Sequence, residues 1–106
     1  MRAVPRYISP FDVTVRSEDD PRREGKVFDV SSKGIGTIGL EAVAGETSGL
    51  TILGDEYGEV FPFSVEATCR WVKRIHDSEM RAGFEIVKIS YGSRRELQNW
   101  IRLCLI

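Results

Sequence analysis

The stretch "FPFSVEATCRW", residues 61 to 71, sets the fold. Phe61, Phe63, Val65, Ala67, Cys69 and Trp71 fall on every second position, with Pro62, Ser64, Glu66, Thr68 and Arg70 between them. A period of two belongs to a β-strand, whose successive side chains leave by opposite faces. The pattern continues too long for one flat strand. It is expected to be two strands joined by a bend or bulge, or one coiled strand at a barrel corner.

Shorter stretches on either side read the same way. Residues 11 to 16, Phe-Asp-Val-Thr-Val-Arg, alternate apolar and polar, as a half-buried strand does. "SEDDPRREG", 17 to 25, is charged and holds Pro and Gly, so it is a loop. Lys26 to Ser31 and Gly34 to Glu41 are two further strands, the second softened by Gly36 and Gly39. A loop is expected at 44 to 49, a short strand at 50 to 53 and a turn at 54 to 58. "IHDSEM", 75 to 80, reads as a hairpin turn, and Ala82 to Ile89 as the returning strand.

The period then changes. Ser93-Arg94-Arg95-Glu96 has the form of a capping box, and Leu97, Trp100, Ile101 and Cys104 follow at helical spacing. The layout is about six strands and a C-terminal helix over 93–104. Many short strands with glycine-bearing corners favour a small antiparallel barrel, with the helix laid against it. Residues 1–106 are read as one domain, a length that suits a single modest core.

The composition is that of a globular chain, 42% hydrophobic and 29% charged. The formal net charge is -1, from 15 basic and 16 acidic residues. General DNA or RNA binders carry a marked basic excess, so that class is disfavoured. No apolar run is long enough to cross a bilayer, and residues 1 to 15 lack the apolar core of a signal peptide. A cytoplasmic chain without membrane insertion is expected. Cys69 and Cys104 are read as buried thiols acting as small hydrophobes. With His76 the only histidine and no Cys-x-x-Cys pair, no metal site is expected.

Catalysis has few candidates. His76 lies beside Asp77 and Ser78, but neighbours in sequence do not make a triad. "GIGTIG", 34 to 39, has glycines without the helix that a dinucleotide-binding turn requires. No enzymatic activity and no cofactor are expected.

Arg2 and Arg6 are the more telling residues. They sit four apart on a Pro5-stiffened segment that precedes the first predicted strand. A guanidinium donates two parallel hydrogen bonds, which suits phosphate and the O6/N7 edge of guanine. Spacing alone is cheap: with 11 Arg in the chain, about one such pair arises by chance, and Arg70 with Arg74 makes a second. In "DVSSKG", 29 to 34, Asp29 and Ser31 lie two apart on a strand and share a face. A carboxylate accepts from the N1-H and amine of guanine, a hydroxyl donates or accepts, and Gly34 lets the backbone turn. Asp, Ser and Gly are also the ordinary residues of a plain turn.

Together, Arg2-x-x-x-Arg6 followed by Asp29-x-Ser31-x-x-Gly34 resembles the PilZ domain family. "ATCRWVKR", 67 to 74, resembles that family's Trp-bearing strand, and "RAGFEIVKI", 81 to 89, its returning strand. The terminal helix from Ser93 fits as well, so the resemblance covers nearly the whole chain. It implies a PilZ-like split barrel of six strands and a bacterial receptor for the second messenger cyclic di-GMP. Arg2, Arg6, Asp29, Ser31 and Gly34 would be its ligand-binding residues. It further implies that residues 1–8 form a flexible arginine segment ordered by the ligand, and that a downstream protein partner reads the change. Some PilZ domains act instead as protein-interaction modules without nucleotide, which is the competing expectation.

Overall fold

The computed structural model describes residues 4–76 and 79–105. Its elements run β1 (Tyr7–Ile8), β2 (Thr14–Ser17), β3 (Glu24–Val30), β4 (Gly34–Ile38), β5 (Thr47–Gly54), β6 (Phe63–His76), β7 (Glu79–Lys88) and α1 (Tyr91–Cys104). Strands β3-β2-β5-β6-β7-β4 hydrogen-bond in that order, all antiparallel, and β4 pairs back onto β3. Six strands thus close the expected barrel, which leaves it no open edge. The short β1 extends the edge of β3 beyond β2, pairing Tyr7 with Val30 and Ile8 with Asp29.

The interior is filled by residues that the alternation selected: Val13 and Val15, Leu50 and Ile52, and Phe63, Val65, Ala67 and Cys69 are all buried. Helix α1 covers one end of the barrel. Its apolar stripe buries Leu97 and Trp100 against the core, with Ile101 and Cys104 partly buried beside them. The Trp100 ring meets Phe63 edge-on, 6.2 Å between centroids. Its Nε1 donates to Ser9 Oγ at 3.2 Å, which ties the helix to the N-terminal segment.

Several boundaries differ from those expected, each for a local reason. The long run is one strand, β6, with register shifts between Glu66 and Ala67, Cys69 and Trp71, and Arg74 and His76. These bulges coil it around the barrel. Phe61 precedes it and is exposed. The helix begins at Tyr91, not Ser93, because Ser90 is the cap: its Oγ accepts from the Ser93 N–H at 3.1 Å. Glu96 does not close a capping box, and accepts from Asn99 instead. Strand β4 stops at Ile38, where Gly39 turns with φ of 84°. Thr47 to Gly49, expected as loop, begin β5 along β6. Tyr7 and Ile8, the end of the expected flexible leader, are strand. Asp77 and Ser78 of the expected turn lie outside the described residues. Cys69 and Cys104 are both free, Cys69 buried and Cys104 partly so, and burial pushes both thiols up from their ordinary pKa.

Candidate functional site

Two bulges re-aim side chains outward at one place on the barrel. In β3 the register against β4 slips between Val27 and Asp29. Val27 and Val30 both face the core, three apart rather than two. The extra residue, Phe28, breaks the parity, so Asp29 points away from the core although it lies two beyond a buried position. In β6 the slip between Cys69 and Trp71 does the same. Cys69 is inside, while Trp71 is turned out and 48% exposed.

Asp29 meets Arg6. The Arg6 Nε donates to Asp29 Oδ2 at 3.1 Å and its Nη2 to Oδ1 at 2.8 Å, a two-pronged ion pair. The pairing of β1 with β3 brings this about: with Tyr7 opposite Val30, position 6 arrives beside the turn that follows β3. Arg6 keeps 43% of its side chain exposed and Asp29 21%, so the pair is open to a visitor.

The floor beneath the pair is built of glycine. A Cβ on Gly36 would overlap the Asp29 carboxylate and stand 3.7 Å from Arg6 Nη2. A Cβ on Gly34 would lie 2.5 Å from the Phe84 carbonyl oxygen of β7 and 3.6 Å from Arg6 Nη1. The guanidinium therefore lies across the outer face of β4, where side chains are missing. Ser31 organises the turn: its Oγ accepts from the Gly34 N–H at 3.0 Å and the Lys33 N–H at 3.2 Å. The Ser31 N–H in turn donates to the Gly34 carbonyl at 2.9 Å. Ser31 is almost wholly buried.

A cleft of about 390 Å³ opens beside this arrangement, lined by Val4, Arg6, Gly34, Arg70, Trp71 and Gly83 among others. Trp71 lies flat on Gly83, its partner across the ladder, where any Cβ would collide with the indole. Arg70 donates to Glu85 at 2.6 Å along the same rim. The wall thus offers one exposed indole and two guanidinium groups. The indole suits an apolar or aromatic face, and the cations suit phosphate.

Of the sequence-predicted residues, Arg6, Asp29, Ser31 and Gly34 come together within this one corner. Arg2 lies outside the described residues. Gly36, Trp71 and Gly83 were missed as site residues. Gly36 lies on the glycine-bearing strand that the sequence predicts, and the outward turn of Trp71 depends on a bulge that alternation does not reveal.

The model of the PilZ domain family matches residues 2–103. No curated protein matches the chain in sequence. Among solved structures, Bacillus subtilis Inhibitor of motility (MotI/DgrA) is 24% identical with a TM-score of 0.70, covering 98% of this chain and 51% of that one. The PilZ domain of YcgR from Escherichia coli, solved with cyclic di-GMP, is 17% identical with a TM-score of 0.74, covering 98% and 91%. MrkH of K. pneumonia in its apo state is 11% identical with a TM-score of 0.74, covering 99% and 52%. The chain spans about half the length of the Bacillus protein it matches. It belongs to the PilZ domain family. No described helix is long and apolar enough to cross a membrane.

Proposed function

We propose that this chain is a bacterial, cytoplasmic receptor for cyclic di-GMP that binds through Arg2, Arg6, Asp29, Ser31 and Gly34. The observation that carries the reading is the Arg6–Asp29 pair, half open, above a floor without side chains. A guanidinium has five donor hydrogens, and Asp29 takes two, so three remain for a phosphate or for guanine O6 and N7. The carboxylate likewise has about four acceptor positions and spends two on Arg6. The rest can receive the N1-H and amine that distinguish guanine from adenine. Ser31 holds the turn that displays Asp29, and Gly34 lets the ligand edge approach β4.

The ligand carries two phosphate charges, and Arg2 supplies a second guanidinium along the same leader. Docking both draws the leader ahead of Tyr7 over the cleft, a change of surface that a downstream protein can read. YcgR from Escherichia coli, solved with cyclic di-GMP, has a PilZ domain of similar fold, which supports the choice of ligand.

The test is calorimetry with cyclic di-GMP on the chain and on Arg6→Ala and Asp29→Ala. A receptor binds at micromolar protein and loses at least tenfold in each variant while all three stay folded. An interaction module that binds no nucleotide gives no heat in any of them, and that result overturns the reading.

A further inference from the structure

Helix α1 presents a second, unrelated surface. Its apolar stripe faces the barrel, and its opposite face carries Tyr91, Arg94, Arg95, Gln98, Asn99 and Arg102. These positions recur every three or four residues, so they form one stripe of roughly 16 Å along the helix. They line a shallow groove of about 330 Å³. Among the described residues none of the three guanidiniums has an ion-pair partner, whereas Arg6, Arg16, Arg22, Arg23 and Arg70 are all paired. Arg94 also borders a second groove of about 530 Å³, with Lys33, Lys88, exposed Val87 and Glu85, whose carboxylate is held by Arg70. The positive surface therefore continues from the helix to the turn that ends at Gly34.

This charge is local. The helix holds three Arg against one Glu, while the rest of the chain has twelve Lys or Arg against fifteen Asp or Glu. Arg94 closes the first helical turn, where the N–H ends of the helix already give positive potential and the helix itself prefers acid, and Arg95 follows it.

We propose that the Tyr91–Arg94–Arg95–Arg102 stripe of α1 is the docking site for an acidic protein surface. That docking there is the output of nucleotide binding rests on the receptor reading above; the docking itself does not. Composition selects a protein over other polyanions. Arg and Tyr are the residues enriched at the centre of protein interfaces, and Tyr91 and Val87 supply exposed apolar surface beside the cations. A nucleic acid or an anionic bilayer would instead be met by a chain of net positive charge, and this one is net negative. The Lys33 carbonyl accepts from the Ile86 N–H at 2.8 Å. This joins the cleft-side turn to β7, the strand that leads into the helix.

The probe is a fluorescein-labelled amphipathic helical peptide with Glu on one face and Leu on the other, titrated by anisotropy. The chain should bind it with an affinity that falls as salt rises. The triple variant R94E/R95E/R102Q should lose at least tenfold, and the triple Arg→Lys variant should keep most of the binding. Glu at position 94, in the first turn, suits the helix, and both reversed positions are exposed, so the charge-reversed variant should fold, and a thermal melt checks this. Binding of the Glu peptide that the triple variant leaves unchanged, or no binding by the wild type, overturns the proposal. So does tighter binding of a single-stranded oligonucleotide or of phosphatidylglycerol vesicles through the same three residues. Calorimetry with cyclic di-GMP on the same triple variant separates the two readings. Unaltered nucleotide binding with lost peptide binding is the expected outcome. Peptide binding in a chain that never binds nucleotide fails the receptor reading alone.

Discussion

Arg6 and Asp29 stand 23 residues apart in the chain and meet through two hydrogen bonds of 2.8 and 3.1 Å on the outer wall of the barrel. Their meeting depends on a two-residue strand and a bulge, β1 beside β3 and the extra residue Phe28. Pairs this exposed contribute about 0.2–1 kcal/mol to folding. Arg6→Ala and Asp29→Ala should therefore shift a urea midpoint little while weakening nucleotide binding at least tenfold. A large loss of stability in either would mean that the pair serves the fold.

The two glycines under Arg6 should separate function from folding. At Gly36 an added methyl meets only the Asp29 carboxylate, a side-chain end that can rotate away. Gly36→Ala should melt near the wild type yet bind nucleotide poorly, because Asp29 is driven off Arg6. At Gly34 the methyl meets the Phe84 carbonyl of β7, which is backbone within a ladder. Gly34→Ala should cost about 1–3 kcal/mol, the usual range for overpacking. Thermal melts beside calorimetry distinguish the two, and equal effects on stability would contradict the geometry.

The chain's two tryptophans should report on different events. Trp71 is half exposed on the cleft wall, and Trp100 is wholly buried. Cyclic di-GMP should change the emission of Trp71 alone, so Trp71→Phe should remove the ligand signal and keep the unfolding signal of Trp100. A ligand response that survives in Trp71→Phe would place the ligand elsewhere.

Trp100 should be the position least tolerant of change. It fills the space between helix and barrel, stands edge-on to Phe63 and donates to Ser9. Trp100→Ala should cost about 3–5 kcal/mol, a large share of the stability of a domain this small. Ser9→Ala should cost about 1–3 kcal/mol by stranding a buried N–H. Denaturant titration of both variants measures this.

Much of this site was legible from side-chain chemistry and spacing. Asp29, Ser31 and Gly34 announced a turn, and the alternation from Phe61 to Trp71 announced the barrel wall. What escaped was set by local geometry that competes with pattern. The period of two places Trp71 with Cys69 in the core, but one extra residue in the ladder at Arg70 sends it outward. Ser90 and Ser93 are both good caps, and only the path of the chain leaving β7 selects Ser90. β1 has two residues and no pattern of its own, since its pairing is made by β3.

The buried thiols should make the protein sensitive to alkali. Burial raises the pKa of Cys69 and Cys104 above the ordinary value of 9.0, so the folded state keeps protons that the unfolded state releases. Stability from this source is complete below pH 9 and declines as pH rises through the folded values. Unfolding free energy should fall above pH 9, and the decline should be shallower in Cys69→Ala. A flat profile there would contradict the burial of these groups.

The most direct test of guanine reading at Arg6 and Asp29 is a pair of calorimetric titrations of the folded chain, one with cyclic di-GMP and one with cyclic di-AMP. The two ligands share the phosphates and differ in the base edge that Asp29 would accept from. Micromolar or tighter binding of the first, with the second at least a hundredfold weaker, is the predicted result. Equal affinity for both, or no heat with either, would contradict it.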